Sequence, residues 1–127
     1  MKALILVGLG GFIGSVARYA LGNLVLQLAP HARFPWSTFA VNVLGCLVVG
    51  LLAGLADRHP VLGNDARLFV FTGLLGGFTT FSAFGLDALS LLRRGEPLLA
   101  AMYTGASVGL GLLAAWLGFA MVTALLR

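Results

Sequence analysis

The chain has 127 residues, of which 60% are hydrophobic and 9% charged, with a formal charge of +4. A soluble domain carries about 25% charged residues, so this chain cannot cover a water-facing surface and reads as one membrane domain. Its cations sit at the ends of apolar runs, as anchors at the membrane–water interface do, and no basic stripe interleaved with exposed aromatics suggests nucleic acid.

Crossing a bilayer takes about 20 apolar residues in a helix, and four runs qualify. The first, Ala3 to Ala29, is interrupted only by Arg18. Met1-Lys2 ahead of it has the look of a signal peptide. No convincing small-residue cleavage site follows, and the segment is expected to stay as a first span. The second run, Trp36 to Ala56, has no charge. The third, Leu68 to Leu92, holds Asp87 near its end, and the fourth, Pro97 to Leu126, is uncharged. Short polar or turn-like breaks separate them, which predicts an up-down bundle.

Loop cations set orientation in the membrane. Lys2, Arg58, Arg67 and Arg127 fall on one side, and Arg33, Arg93 and Arg94 on the other, four against three. So small a bias permits insertion in both orientations, and opposite copies could pair as an antiparallel dimer. A single topology fixed by another feature fits the count equally well.

The glycines recur at helical spacing: Gly10, Gly14 and Gly22 with Arg18 on one row, Gly50 with Gly54, and Gly105 with Gly109. Small residues four apart let helices approach closely where lipid supplies no hydrophobic drive, so these are expected packing faces. Cys46 lies in an apolar run with no other cysteine to pair with and reads as a small packing residue.

Polar residues within spans face the protein interior or a pathway. Thr38 and Asn42 are four apart and share a face, as do Tyr103, Ser107 and Gly111. Both faces offer neutral donors, which suit an anion or, equally, hydrogen bonds that hold the bundle together. No acid lies deep in spans one, two or four. That argues against a proton-coupled carrier, and no nucleophile–base set suggests an enzyme.

The third span is the unusual one. Gly76-Gly77-Phe78-Thr79-Thr80 interrupts an apolar helix with adjacent glycines and β-branched residues, which weaken it. A break would free carbonyls at membrane depth, tolerated only where they are buried in protein or coordinate something, such as sodium. Phe81 and Phe84 follow at i, i+3, a spacing that core packing alone explains.

Three segments together resemble the CrcB/Fluc family of small fluoride channels. They are Gly10 to Tyr19 (GGFIGSVARY), Pro35 to Asn42 (PWSTFAVN) and Gly73 to Phe84 (GLLGGFTTFSAF), the last the most specific. The resemblance covers essentially the whole chain. It implies an all-α integral membrane protein of four transmembrane helices, the third broken mid-membrane, forming an antiparallel dual-topology homodimer in the cell inner membrane. It implies passive fluoride export through two pores per dimer, conferring fluoride resistance. Phe81, Phe84 and Asn42 match its pore residues; Thr38, Tyr103 and Ser107 fall where polar residues line the ion path. Arg18 matches a first-helix arginine at the vestibule. The backbone carbonyls of Gly76 and Thr79 match those holding a central structural sodium, Na+, between subunits. Two positions depart from the pattern: Gly111 stands where relatives often carry a hydroxyl, and Asp87 where they often carry Glu. A small dual-topology drug carrier would need an acid deep in span one, where Arg18 stands; a purely structural subunit would leave the broken helix and paired phenylalanines unexplained.

Overall fold

The computed structural model describes residues 1–58 and 62–126; His59 and Arg127 lie outside them. Among the described residues the secondary structure is all helical, with four helical stretches long and apolar enough to cross a membrane. Helix α1 spans Lys2–Leu28 and α2 spans Trp36–Arg58. The third stretch, Asn64–Arg93, begins with α3 (Asn64–Arg67), continues as a π-helical segment (Leu68–Leu75) and the short α4 (Gly76–Phe78), and resumes as α5 (Phe81–Arg93). Helix α6 spans Pro97–Leu125. Helical structure thus begins at Lys2 and Asn64 and reaches Arg58, beyond the apolar runs, because helix ends in the polar interface need no lipid solvation.

The stretches alternate in direction. Lys2 pairs with Asp65, which brings the starts of α1 and α3 together. Arg58 Nη2 donates to the Thr123 carbonyl at 3.3 Å, which brings the ends of α2 and α6 to that same end. Arg33 and Arg94 lie in the connections at the other end, where Arg93 closes α5.

Two helix pairs form the bundle: α1 lies against the π-helical segment and α4, and α2 lies along α6. Both pairs are made by backbones in near contact. A Cβ on Gly10 would meet the Gly73 Cα at 3.0 Å, and a Cβ on Gly73 would meet the Gly10 Cα at the same distance. Gly50 has no room for a side chain because the Ala115 carbonyl fills it. These contacts substitute dispersion and packing for the hydrophobic drive that lipid cannot provide. Gly105 and Gly109 behave otherwise: a Cβ on either would meet nothing within 4 Å. Their face of α6 does not pack within the chain.

A π-helix is rare and wider than an α-helix, and it recurs at functional sites. Here the Gly76 N–H reaches back five residues to the Phe71 carbonyl and is shared with Gly73. The wide turn ends where α4 begins. Thr79 and Thr80 then leave helical geometry, with φ/ψ of −83°/156° and −150°/119°. Thr80 restarts the helix as its N-cap, its Oγ1 accepting from the Ala83 N–H at 3.2 Å. A threonine in extended conformation ahead of a helix is a favoured cap.

Candidate functional site

The backbone at Thr80 needs partners that a continuous helix would have supplied. Asn42 on α2 supplies them to Thr80. Its Nδ2 donates to the Thr80 carbonyl at 2.9 Å, and its Oδ1 accepts the Thr80 N–H at 2.8 Å. One carboxamide therefore satisfies both backbone groups of one residue and leaves a single Nδ2–H unused. Thr79 keeps its helical bond, its N–H donating to the Leu75 carbonyl at 2.9 Å, and its Oγ1 donates to the same carbonyl at 2.9 Å.

A cavity of about 410 Å³ opens beside this junction. Asn42, Phe81, Phe84, Ser107, Gly76 and Thr79 all line it, brought together from α2, α4, α5, α6 and the junction. Ser107 Oγ is buried without a hydrogen-bond partner. An unpaired buried hydroxyl is costly, and this one is free to donate to whatever enters. The ring of Phe81 is 84% exposed; it stands 5.5 Å from the Phe84 ring, tilted by 38°.

Tyr103 does not line the cavity. It is fully buried, with its ring 5.3 Å from Phe84 on one side and edge-on to Phe34 at 5.4 Å on another. Its hydroxyl donates to Asp87 Oδ2 at 3.3 Å. Leu91 and Ala100 complete the cluster. Tyr103 thus backs Phe84 from behind, within the protein's best-buried core.

Arg18 and Thr38 line a second cavity, of about 280 Å³, with Ser15, Asn23 and Ser37. Thr80 borders both cavities. It therefore stands between the Arg18 end and the phenylalanines, a position that spacing arguments did not single out. The cue was present in the sequence as a helix-capping threonine after paired glycines. Cys46 was missed as well: it lines the first cavity, and its Sγ lies 3.4 Å from where a Gly111 Cβ would stand. The space that a side chain at position 111 would take is bordered by this thiol.

The arrangement offers neutral donors, aromatic rings and backbone carbonyls. Among the described residues, no three or more His, Cys, Asp or Glu side chains group to hold a metal ion, so a cation here would depend on carbonyl oxygens. In a continuous helix the Thr80 N–H would bond the Gly76 carbonyl; here it bonds Asn42. The Ala83 N–H, which would reach the Thr79 carbonyl, bonds Thr80 Oγ1. Both carbonyls are relieved of their helical donors.

A family described as "CrcB-like protein, Camphor Resistance (CrcB)" matches residues 5–119 of the chain. A protein of Methylobacillus flagellatus named fluoride-specific ion channel FluC is 53% identical over 122 residues, covering 96% of this chain and 95% of that protein. A protein of Rhizobium meliloti with the same name is 46% identical over 125 residues, covering 98% and 99%. One of Nitratidesulfovibrio vulgaris, also so named, is 45% identical over 118 residues, covering 93% and 94%.

Proposed function

The chain belongs to the CrcB-like family, and from that membership we propose that it is a fluoride channel of the cell inner membrane, passing the anion out of the cytoplasm down its electrochemical gradient. Its relatives bear the name of an ion channel and not of an enzyme. The observation that carries the reading is the cavity shared by Asn42, Phe81, Phe84 and Ser107. A small, strongly hydrated anion needs donors to replace its water. The free Ser107 hydroxyl and the unused Nδ2–H of Asn42 would serve, and a phenyl ring offers a positive edge to an anion. Arg18 and Thr38 would form the vestibule that leads to Thr80 and onward. Tyr103 would act by holding Phe84.

Phe81 is too exposed to line a closed path in one protomer. In an antiparallel homodimer, its ring would face a pore completed by the partner, giving two pores per dimer. The open face at Gly105 and Gly109 and the near-even loop charges support such pairing of opposite orientations. The interruption at Thr79 and Thr80 would then lie mid-membrane in the third span of each copy. The carbonyls of Gly76 and Thr79, freed of helical donors, fit a structural sodium between the copies, as interrupted membrane helices do. When bound, that ion would tie the two junctions together and favour anions nearby, since Coulomb terms grow in low dielectric.

The test is fluoride efflux from liposomes carrying the purified protein, read with a fluoride electrode beside a chloride-loaded control. Rapid fluoride loss with chloride retained is the expected result. Absence of efflux from a confirmed, sodium-loaded dimer would overturn the reading and return the carrier and structural alternatives.

A further inference from the structure

A half-buried asparagine beside an anion path is most simply a donor to the anion. The hydrogen bonds of Asn42 describe a different primary duty. Its carboxamide is already engaged twice with the Thr80 backbone, at 2.9 and 2.8 Å. The second of these bonds removes the Thr80 amide from the reach of the Gly76 carbonyl four residues earlier.

We infer that Asn42 is a positioning residue that holds the third span open: by capturing the Thr80 N–H it keeps that amide from re-forming the helical bond to Gly76, and so preserves the Gly76 carbonyl for a cation. The inference rests on the channel reading and its proposed sodium.

The reasoning is an accounting of backbone groups. A half-buried amide within a membrane span needs a partner. Without Asn42 its best available acceptor is the Gly76 carbonyl, one helical turn away. Taking it would draw Thr80 out of its extended conformation, pull the α5 cap away from Ala83, and turn Phe81 and Phe84. The loss of one side chain 38 residues away in sequence would therefore act on the cation first and on the rings through it. Ser107 offers a contrast. It lines the same cavity, but its hydroxyl makes no hydrogen bond to the junction, so its removal should reduce permeation and leave the cation site alone.

The experiment measures sodium-dependent thermal stabilisation of the full-length detergent-purified protein, titrated against N-methylglucamine, in parallel with fluoride efflux. The variants are Asn42→Leu, nearly isosteric but unable to form either bond, and Ser107→Ala. Asn42→Leu should raise the half-saturating sodium concentration roughly tenfold or more, the worth of one lost strong hydrogen bond, and lower efflux. Ser107→Ala should lower efflux with the sodium titration unchanged. The decisive rescue replaces the Thr80 amide by an ester through the corresponding α-hydroxy acid. With no N–H to return to Gly76, Asn42→Leu carrying that ester should regain the wild-type sodium titration. Asn42→Ser, whose side chain falls short of Thr80, gives the same reading should the leucine variant fail to insert. If Asn42→Leu loses efflux but keeps the wild-type sodium titration, the inference is wrong and Asn42 is a donor to the anion alone. If the ester fails to rescue, the amide is not the agent and the inference is again overturned. If the wild-type protein conducts fluoride but shows no sodium response, the cation reading falls and takes this inference with it, while the channel reading stands.

Discussion

The Tyr103 hydroxyl donates to Asp87 Oδ2 across 3.3 Å, linking a fully buried ring on α6 to a carboxylate on α5. Asp87 is the one acid between Leu68 and Leu92. A carboxylate in that setting needs a donor, and the tyrosine that provides it also supports the Phe84 ring at 5.3 Å. Removing only the hydroxyl separates the two duties. Tyr103→Phe keeps the ring contacts and should destabilise the protein by about 1 kcal/mol, the net worth of a part-buried hydrogen bond. Unfolding in detergent, followed by circular dichroism, measures it. Asp87→Asn keeps an acceptor for the hydroxyl and should cost less; equal losses would mean that the bond contributes little.

The phenylalanines differ in what they do for the protomer. Phe81 is mostly exposed and Phe84 packs against Tyr103. Phe84→Leu should abolish fluoride efflux while the dimer still assembles, and Phe81→Leu should do so with no loss of protomer stability. Efflux and size-exclusion chromatography on each variant provide the check. Normal conduction by Phe84→Leu would contradict the ring's assigned role.

Two glycine pairs on α2 and α6 look alike in sequence and should respond oppositely. Ala favours a helix over Gly by about 1 kcal/mol. At Gly50 the Ala115 carbonyl blocks the added methyl, and Gly50→Ala should destabilise by roughly 1–3 kcal/mol through overpacking. Gly105→Ala meets nothing within the protomer, so the fold should be kept and any loss should appear in dimer association. Unfolding and subunit-exchange measurements together distinguish these outcomes.

Cys46 lines the cavity with Asn42, Phe81 and Ser107 and is half-buried. A small permeant thiol reagent should label it and block efflux, with Cys46→Ser immune to the block and still conducting. Block that persists in Cys46→Ser would place the reaction elsewhere; labelling that leaves efflux untouched would remove the thiol from the path.

The four spans were legible because hydropathy and length alone decide which segments lipid can solvate. The shared faces of Thr38 with Asn42 and of Ser107 with Gly111 followed from helical periodicity. Periodicity could not say which face meets which: Asn42 reaches Thr80 across 38 residues, a pairing that depends on how the helices dock. The π-helical turn over Leu68–Leu75 has no composition signal of its own; its Leu, Phe and Val residues read as an ordinary apolar helix. Tyr103 was grouped with Ser107 because both face inward, yet depth along α6 buries one in the aromatic cluster and leaves the other at the cavity. Gly105 and Gly109 carried the same small-residue signal as Gly50 and Gly54, since spacing shows that a close approach is possible and not whether a neighbour within the chain makes it.

Helix α2 lies along α6, while α1 lies along the third stretch. During synthesis α1 meets its main partner before α6 has emerged, but α2 must wait until the last of the four spans is made. Until then, its glycine face at Gly50 and Gly54 has no close-fitting cover. The nascent protein would therefore pass through a stage in which one helix pair is docked and α2, joined to it through the Asn42–Thr80 bonds, still lacks its main partner. Folding is then completed in one late step, and a ribosome stalled before α6 would leave a product that the membrane's proteases can recognise.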